Sequence, residues 1–334
     1  MSAPSKVWPY IIGTLLLVAG DVGCDGPQSA LNPAGRGAQD IATLFWRMAA
    51  GGTVIWLVMV ALAIYSVRTH ADATRDRRRI RLLIIGGGSV IPTIVLGALL
   101  LTSLPMLPEL LAPAPPDALR IEVRGKMWWW RVRYLGADGE TIELANEIRL
   151  PVGEPVEFRL ASDDVIHAFW IPSLGGKVDM IPGRITRLKL EPTKTGIYRG
   201  ACAEYCGMSH ALMNFYVVVL EKGEFAQWLD QQRKPARTPT EPLAVRGQQL
   251  FIHSGCPACH AVRGTEATKV IGPDLTHVGS RHTVGAGILN SEPRQFMNWI
   301  THPDELKPGV KMPAFDMLPD EQLRAIAAYL EALQ

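Results

Sequence analysis

Hydrophobic and polar positions divide the chain into three regimes. Residues 48–67 and 82–107 are nearly continuous apolar runs, and a bilayer-crossing helix needs about 20 such residues. The pattern therefore predicts two transmembrane helices, a hairpin over residues 41–107. Trp46 and Arg47 stand at the outer edge of the first run. Pro92 falls inside the second, where a membrane helix accommodates it as a kink because neighbouring groups satisfy the freed backbone. Between the runs lie Arg68, Arg75, Arg77, Arg78, Arg79 and Arg81, while the segments flanking the hairpin carry few basic residues. By the positive-inside rule this arginine loop is cytoplasmic, and everything from about residue 108 onward lies on the opposite face.

After a Pro/Ala-rich stretch at residues 111–118, the pattern changes to short β-branched, alternating segments at 121–123, 131–134, 147–150, 156–160, 187–190 and 216–220. Gly, Pro and Asp punctuate them, which predicts an antiparallel sandwich or barrel over residues 120–222. A helix at 223–233 closes this unit. Residues 234–242 are polar and proline-containing and read as a flexible linker. The third regime, residues 243–334, has helical periodicity at 243–254, 293–301 and 319–333, the last with Leu323, Ile326, Ala327 and Leu330 on one face. The fold class is thus multidomain: a two-helix membrane hairpin, an all-β sandwich and an all-α domain.

Composition adds two constraints. The 334 residues exceed one ordinary domain, and 34 Lys+Arg against 32 Asp+Glu leave a net charge of +2, too small to act as a general field for nucleic acid or other polyanions. Lys6, the apolar residues 10–19 and the small residues leading to Cys24 read as an export signal over residues 1–23. Cys24 is then either a lipid-bearing residue of lipoprotein type or a plain cysteine after an uncleaved segment. Asp21 stands where lipoprotein signals usually carry an aliphatic residue.

The other four cysteines form two close pairs, each followed by a histidine, which suggests ligation rather than disulfides. Cys202, Glu204, Cys206, His210 and Met213 share one loop, and His167 precedes it in Asp-Val-Ile-His-Ala-Phe-Trp. Thiolate, thioether and imidazole together suit copper. A blue-copper site would use a single cysteine. Two thiolates from one loop can instead bridge two copper ions, each completed by one histidine. The alternatives are a Cys2His2 zinc site, which normally uses closer cysteine pairs and leaves Met213 superfluous, and a Cys202–Cys206 disulfide in copper-free protein.

This loop, with Asp164-Val165-Ile166-His167, residues 177–184 (Lys-Val-Asp-Met-Ile-Pro-Gly-Arg) and Trp128-Trp129-Trp130, resembles cytochrome c oxidase subunit II across almost the whole chain. The resemblance implies a cupredoxin-like domain holding a dinuclear copper centre, CuA. Its ligands would be His167, Cys202, Cys206, His210, Met213 and the backbone carbonyl of Glu204. The Glu204 side chain would reach a magnesium ion at the border with subunit I, a hard cation suited to a carboxylate. Trp128 would be the residue at which electrons from cytochrome c arrive, although adjacent tryptophans also serve as packing or membrane-interface anchors. Two departures stand out. Met127 occupies a position where the family commonly has glutamine, and residues 82–92 contain no acid where many members carry a proton-feeding glutamate.

Cys256-Pro257-Ala258-Cys259-His260 is the C-x-x-C-H signature of covalent c-type haem, with the histidine presented to the iron. Within an exported helical domain it outweighs a redox or zinc C-x-x-C motif. Met312, in a loop before the last helix, is the expected sixth ligand. Met297 and Met317 read as packing residues, and His253 and His277 as surface or packing histidines. Gly272-Pro273-Asp274-Leu275 resembles the cytochrome c segment whose proline carbonyl orients the proximal histidine. The domain is expected to be a class I cytochrome c, fused as in caa-type oxidases.

The resemblance implies an electron-transfer subunit of a respiratory terminal oxidase in the cell inner (plasma) membrane, multi-pass, with both soluble domains on the periplasmic face. Its partners would be subunit I and other oxidase subunits, a donor cytochrome c or upstream complex, and membrane lipid, but no nucleic acid. A tethered copper and haem carrier outside an oxidase, or a donor subunit of a nitric oxide reductase, are the alternatives.

Overall fold

The computed structural model describes residues 26–68, 77–136 and 139–334. The expected export signal and Cys24 lie outside the described residues, as does most of the arginine loop. Among the described residues, two helices are long and apolar enough to cross a membrane, Arg36–Arg68 and Ile80–Leu110. The first begins well before its apolar run. Its opening turns are small and bury Ala38 and Ala42, and Arg36 pairs with Glu191 at 2.8 Å. In the second, Leu83–Val90 is π-helical and Ile91 N–H donates to the Gly86 carbonyl. The wider turn stands just ahead of Pro92, whose ring lacks an N–H and crowds the preceding turn.

The β domain is two five-stranded sheets packed face to face. One has the order β3-β2-β1-β5-β8, built from β1 (Leu119–Lys126), β2 (Trp129–Leu135), β3 (Thr141–Ala145), β5 (Val156–Ser162) and β8 (Thr186–Leu190). The other has the order β4-β10-β9-β6-β7, built from β4 (Glu147–Pro151), β6 (His167–Trp170), β7 (Val178–Met180), β9 (Gly196–Cys202) and β10 (Asn214–Leu220). The sandwich is not purely antiparallel: β1 pairs parallel with β5, and β4 with β10. Asn146 makes the crossing between the sheets. It adopts φ +58°, which asparagine tolerates, and its side-chain oxygen accepts from Trp130 N–H at 2.8 Å.

Alternation along the strands fills the gap between the sheets with Ile121, Val123, Val132, Phe158, Leu160 and Val217. At the end of the sandwich nearest the cysteine loop an aromatic cluster takes over. Phe169 and Phe215 stack at 4.9 Å, and Trp130 meets Phe215 edge-on at 5.2 Å. Gly200 in β9 is required there, since a β-carbon would lie 2.1 Å from the Phe215 ring. The helix Lys222–Arg233 then lays Phe225 and Trp228 against Tyr134.

In the C-terminal domain the helices Pro242–His253 and Asp320–Ala332 cross, with Phe251 and Tyr329 meeting edge-on at 5.5 Å. Pro293–Thr301 adds Phe296 and Ile300 to the same core. A two-stranded ribbon, β11 (Thr283–Val284) with β12 (Leu289–Asn290), completes it. The start of the linker is held to this domain: Arg263 donates to the Gln232 carbonyl at the end of the preceding helix at 2.6 Å, Ala236 N–H to the Arg263 carbonyl at 2.9 Å, and His277 Nε2 lies 3.1 Å from the Lys234 carbonyl. The expected flexible tether is therefore corrected at residues 234–236, where backbone groups that a solvated linker would leave to water are paired with protein.

Candidate metal centre and haem-binding motif

The loop between β9 and β10 brings the expected copper ligands together. Sheet pairing sets Phe169 of β6 opposite Cys202 at the end of β9, which delivers His167 from the neighbouring strand to the first thiol. His167 Nδ1 lies 3.7 Å from Cys202 Sγ, and His210 Nδ1 lies 3.6 Å from Cys206 Sγ. Met213 Sδ is 3.7 Å from Cys206 Sγ, and the Glu204 carbonyl oxygen is 3.1 Å from Cys202 Sγ. The donor atoms of His167, Cys202 and Cys206 all lie within 4.8 Å of one another. Both thiols are buried, and His167 and Met213 are fully so. Each cysteine thus has its own histidine, and the methionine and the carbonyl sit at opposite ends of the pair. A single tetrahedral zinc would leave the methionine and the carbonyl without a task.

The electrostatics set the two thiols apart. Cys202 is pushed down to about 3, first by a hydrogen bond from the Cys206 thiol and then by His167 and backbone donors. Cys206 is raised, first by the neighbouring Cys202 sulfur and then by burial. Burial works against charge on His167, but the Cys202 sulfur and Asp164 outweigh it and hold the imidazole above its ordinary value. Asp164 Oδ1 is 2.8 Å from His167 Nε2. A carboxylate there accepts a hydrogen bond from Nε2–H and so leaves Nδ1 as the nitrogen facing the thiols. Asp164 Oδ2 accepts from the backbone N–H of Met127 at 2.7 Å. A main-chain donor makes this contact, so methionine in place of glutamine leaves it intact.

The three adjacent tryptophans separate. Trp130 is core, and Trp129 sits between Arg131 at 5.2 Å and Lys126 at 5.8 Å. Trp128 donates its indole N–H to the Cys206 carbonyl at 2.9 Å and is only 8% exposed. The Glu204 side chain is exposed beside Tyr205 and Met208.

In the C-terminal domain, Cys256 and Cys259 are half-buried free thiols, and burial pushes Cys256 up to about 11. His260 Nδ1 lies 2.8 Å from the Pro273 carbonyl. A carbonyl only accepts, so Nδ1 carries the proton and Nε2 keeps its lone pair for a metal. Burial holds this histidine below its ordinary value, and therefore neutral at pH 7. Met312 is half-buried beside Phe315 and Leu318 against the domain core. Met297 packs there too, but Met317 is 71% exposed. The expectation that Met317 is a packing residue is corrected: it sits on a surface turn. His277 is buried and holds the linker, while His253 lies on the surface with Nδ1 2.6 Å from the Gln249 carbonyl.

Residues 135–221 match the family described as cytochrome c oxidase subunit II, periplasmic domain, and residues 244–334 match cytochrome c. The chain is thus similar to a subunit II periplasmic domain in its middle part and to cytochrome c in its last part. It is 38% identical over 218 residues to cytochrome c oxidase subunit 2 of Alkalihalophilus pseudofirmus, covering 65% of this chain and 62% of that one. To the same-named protein of Bacillus subtilis it is 34% identical over 229 residues, 65% of this chain and 63% of the relative. The match thus spans slightly under two thirds of each relative. A solved periplasmic domain of subunit II of cytochrome oxidase from Bradyrhizobium japonicum is 33% identical, covers 36% of this chain and 97% of that one, and superposes with a TM-score of 0.34. The subunit II domain implies copper, and the cytochrome c domain implies haem c. The donor sets fit both: soft sulfur with imidazole on the copper side, and paired thiols with an oriented neutral histidine on the haem side.

Residues of the site that the sequence reading did not single out are Asp164, Ser209 and Lys307. Ser209 Oγ donates to the Pro308 carbonyl at 2.6 Å, and Lys307 Nζ donates to the carbonyls of Leu212 at 2.9 Å and Ala286 at 3.0 Å. Burial pushes Lys307 down to about 7. Asp164 lay within a quoted motif. A lysine in a polar loop carries no sequence mark that it will be enclosed by a second domain.

Proposed function

We propose that the chain is the electron-receiving subunit of a caa-type respiratory terminal oxidase. It takes single electrons from a donor cytochrome c or an upstream complex and passes them to a catalytic subunit I, which reduces O2 to water. What supports this most directly is the meeting of two imidazoles, a thioether and a carbonyl on two buried thiols. His167, Cys202, Cys206, His210, Met213 and the Glu204 carbonyl would hold the CuA centre. Two coppers held there would supply one-electron chemistry to these residues. The buried walls exclude water, and Asp164 fixes the His167 tautomer. Trp128, bonded to the Cys206 carbonyl, is the residue through which electrons reach this loop. The exposed Glu204 carboxylate faces outward, as a ligand for magnesium at the subunit I border would.

Cys256 and Cys259 would hold haem c covalently, with His260 and Met312 as the residues offered to its iron. Such a pair supplies a high potential, as a donor to an oxidase requires. In the cell the two apolar helices span the inner (plasma) membrane against lipid and subunit I, with both soluble domains periplasmic. The test is purification from membranes. Co-purification of a large haem-a subunit, two coppers per chain and cyanide-sensitive oxygen uptake are expected. Isolation as a lone carrier, or with a nitric oxide reductase, would overturn the assignment.

A further inference from the structure

The cytochrome c domain does not merely follow the copper domain in sequence. It rests on it at the cysteine loop. Lys307 has no exposed surface, and its Nζ ties the Leu212 carbonyl of the copper loop to the Ala286 carbonyl of the cytochrome domain. Next to it, the Pro308 carbonyl takes the Ser209 hydroxyl. Gly309 follows with φ +82°, and a β-carbon there would lie 2.8 Å from the Trp128 ring and 3.7 Å from Met208 Sδ. The turn is itself braced by Gly309 N–H donating to Asp304 at 2.7 Å. Away from the loop the same interface continues. His282 N–H donates to Glu147 at 2.7 Å, Arg149 to the Ser280 carbonyl at 3.3 Å, and Arg131 to the Val270 carbonyl. With the start of the linker also pinned, nothing in this arrangement needs a diffusive encounter between the domains.

We propose that residues 307–309 form a fixed seat, with Lys307 as its positioning residue, that locks the cytochrome c domain over Trp128 and closes this tryptophan to external donor proteins. This rests on the functional reading above. A soluble one-electron donor then meets only the cytochrome c domain. Each donor molecule loses one electron, the cytochrome c domain gains it, and the copper loop is reduced second, with no bond made or broken. Two features single out the seat from ordinary packing. A buried lysine is costly to desolvate and persists here only because two carbonyls receive it. The position against the tryptophan ring also admits no side chain.

The experiment uses the intact complex with copper and haem loaded, and soluble cytochrome c as the probe. In the unsubstituted protein, stopped-flow mixing should show the haem signal changing before the copper signal at every probe concentration. Copper reduced first, or in parallel, would overturn the proposal. Lys307→Met keeps the apolar stem and removes the Nζ donor, and Gly309→Ala puts a methyl against Trp128. Each should raise backbone hydrogen exchange in residues 203–213 at least tenfold, slow haem-to-copper transfer at least tenfold and open direct copper reduction by the probe. Both optical spectra should be retained. Unchanged exchange and transfer in both variants would also overturn it. Failure of the functional reading looks different: the unsubstituted complex would lack the copper-pair spectrum or oxygen uptake, while protection of residues 203–213 would still be measurable.

Discussion

The two cysteine pairs of this chain are alike in composition and opposite in chemistry. Cys202 and Cys206 are buried among an imidazole each, a thioether and a carbonyl, and the pair shares a proton so tightly that Cys202 is a thiolate far below its ordinary range. Cys256 and Cys259 are half-buried, and burial, the largest influence on Cys256, keeps it a protonated thiol up to about pH 11. The first pair is electronically prepared for a metal that binds thiolates. The second waits for a covalent partner that fixes both sulfurs at once. Thiolate character therefore comes from the groups gathered around a sulfur, and not from the spacing of the cysteines.

Removing one member of the first pair should produce the largest effect. Cys206→Ser is expected to abolish the near-infrared absorption of the copper pair and leave at most one copper per chain, with the haem spectrum unchanged. An intact copper spectrum would defeat the assignment. The mirror experiment, Met312→Ala, should leave the copper spectrum untouched. It should lower the haem midpoint potential by a substantial part of the roughly 0.8 V that axial ligands span, read by redox titration.

A smaller loss is expected from Asp164→Asn, which keeps the shape but weakens the acceptor for His167 Nε2–H. Partners of this kind are worth about 10–100-fold in metal affinity, measurable by competition with a copper chelator. The smallest effect separates the pairs in the chain without copper or haem. A thiol is ionised above its pKa, so ultraviolet thiolate absorbance should persist on acidification until about pH 3 through Cys202, and a further rise should come near pH 11 from Cys256. Cys202→Ser should delete the acid step and, by removing the sulfur that raises it, bring Cys206 down. Copper uptake at neutral pH then displaces the proton held by Cys206, so affinity should increase as pH rises.

Much of this architecture was legible from pattern. The apolar runs marked both long helices, and six strands of the sandwich were visible where β-branched residues alternate. The strands at 141–145, 167–170, 178–180 and 196–202 were not. β9 carries Gly196 and Gly200, which depress strand propensity, yet Gly200 is there to admit the Phe215 ring. β6 is the four residues His-Ala-Phe-Trp, and β7 only three, too short for alternation to register. The donor set of the copper loop was readable because its residues lie close in sequence. Lys307 and Gly309 were not readable as interface residues. Their roles arise from contacts about a hundred residues away, between domains that sequence presents as separated by a loose linker.

The strap ahead of the first long helix carries a mechanical consequence. Ala34 N–H donates to the Ser173 carbonyl, Thr193 N–H to the Ala34 carbonyl, both at 2.7 Å, and Gly35 bridges Pro192 before Arg36 starts the helix. A rod fastened to the sandwich at its root cannot swivel freely. With that helix upright in a bilayer, the height and tilt of the metal end above the lipid surface follow from this rigid joint. Extra residues inserted among the prolines at 113–116 should then be absorbed as slack, whereas one residue added at position 35 should tip the sandwich relative to the helix.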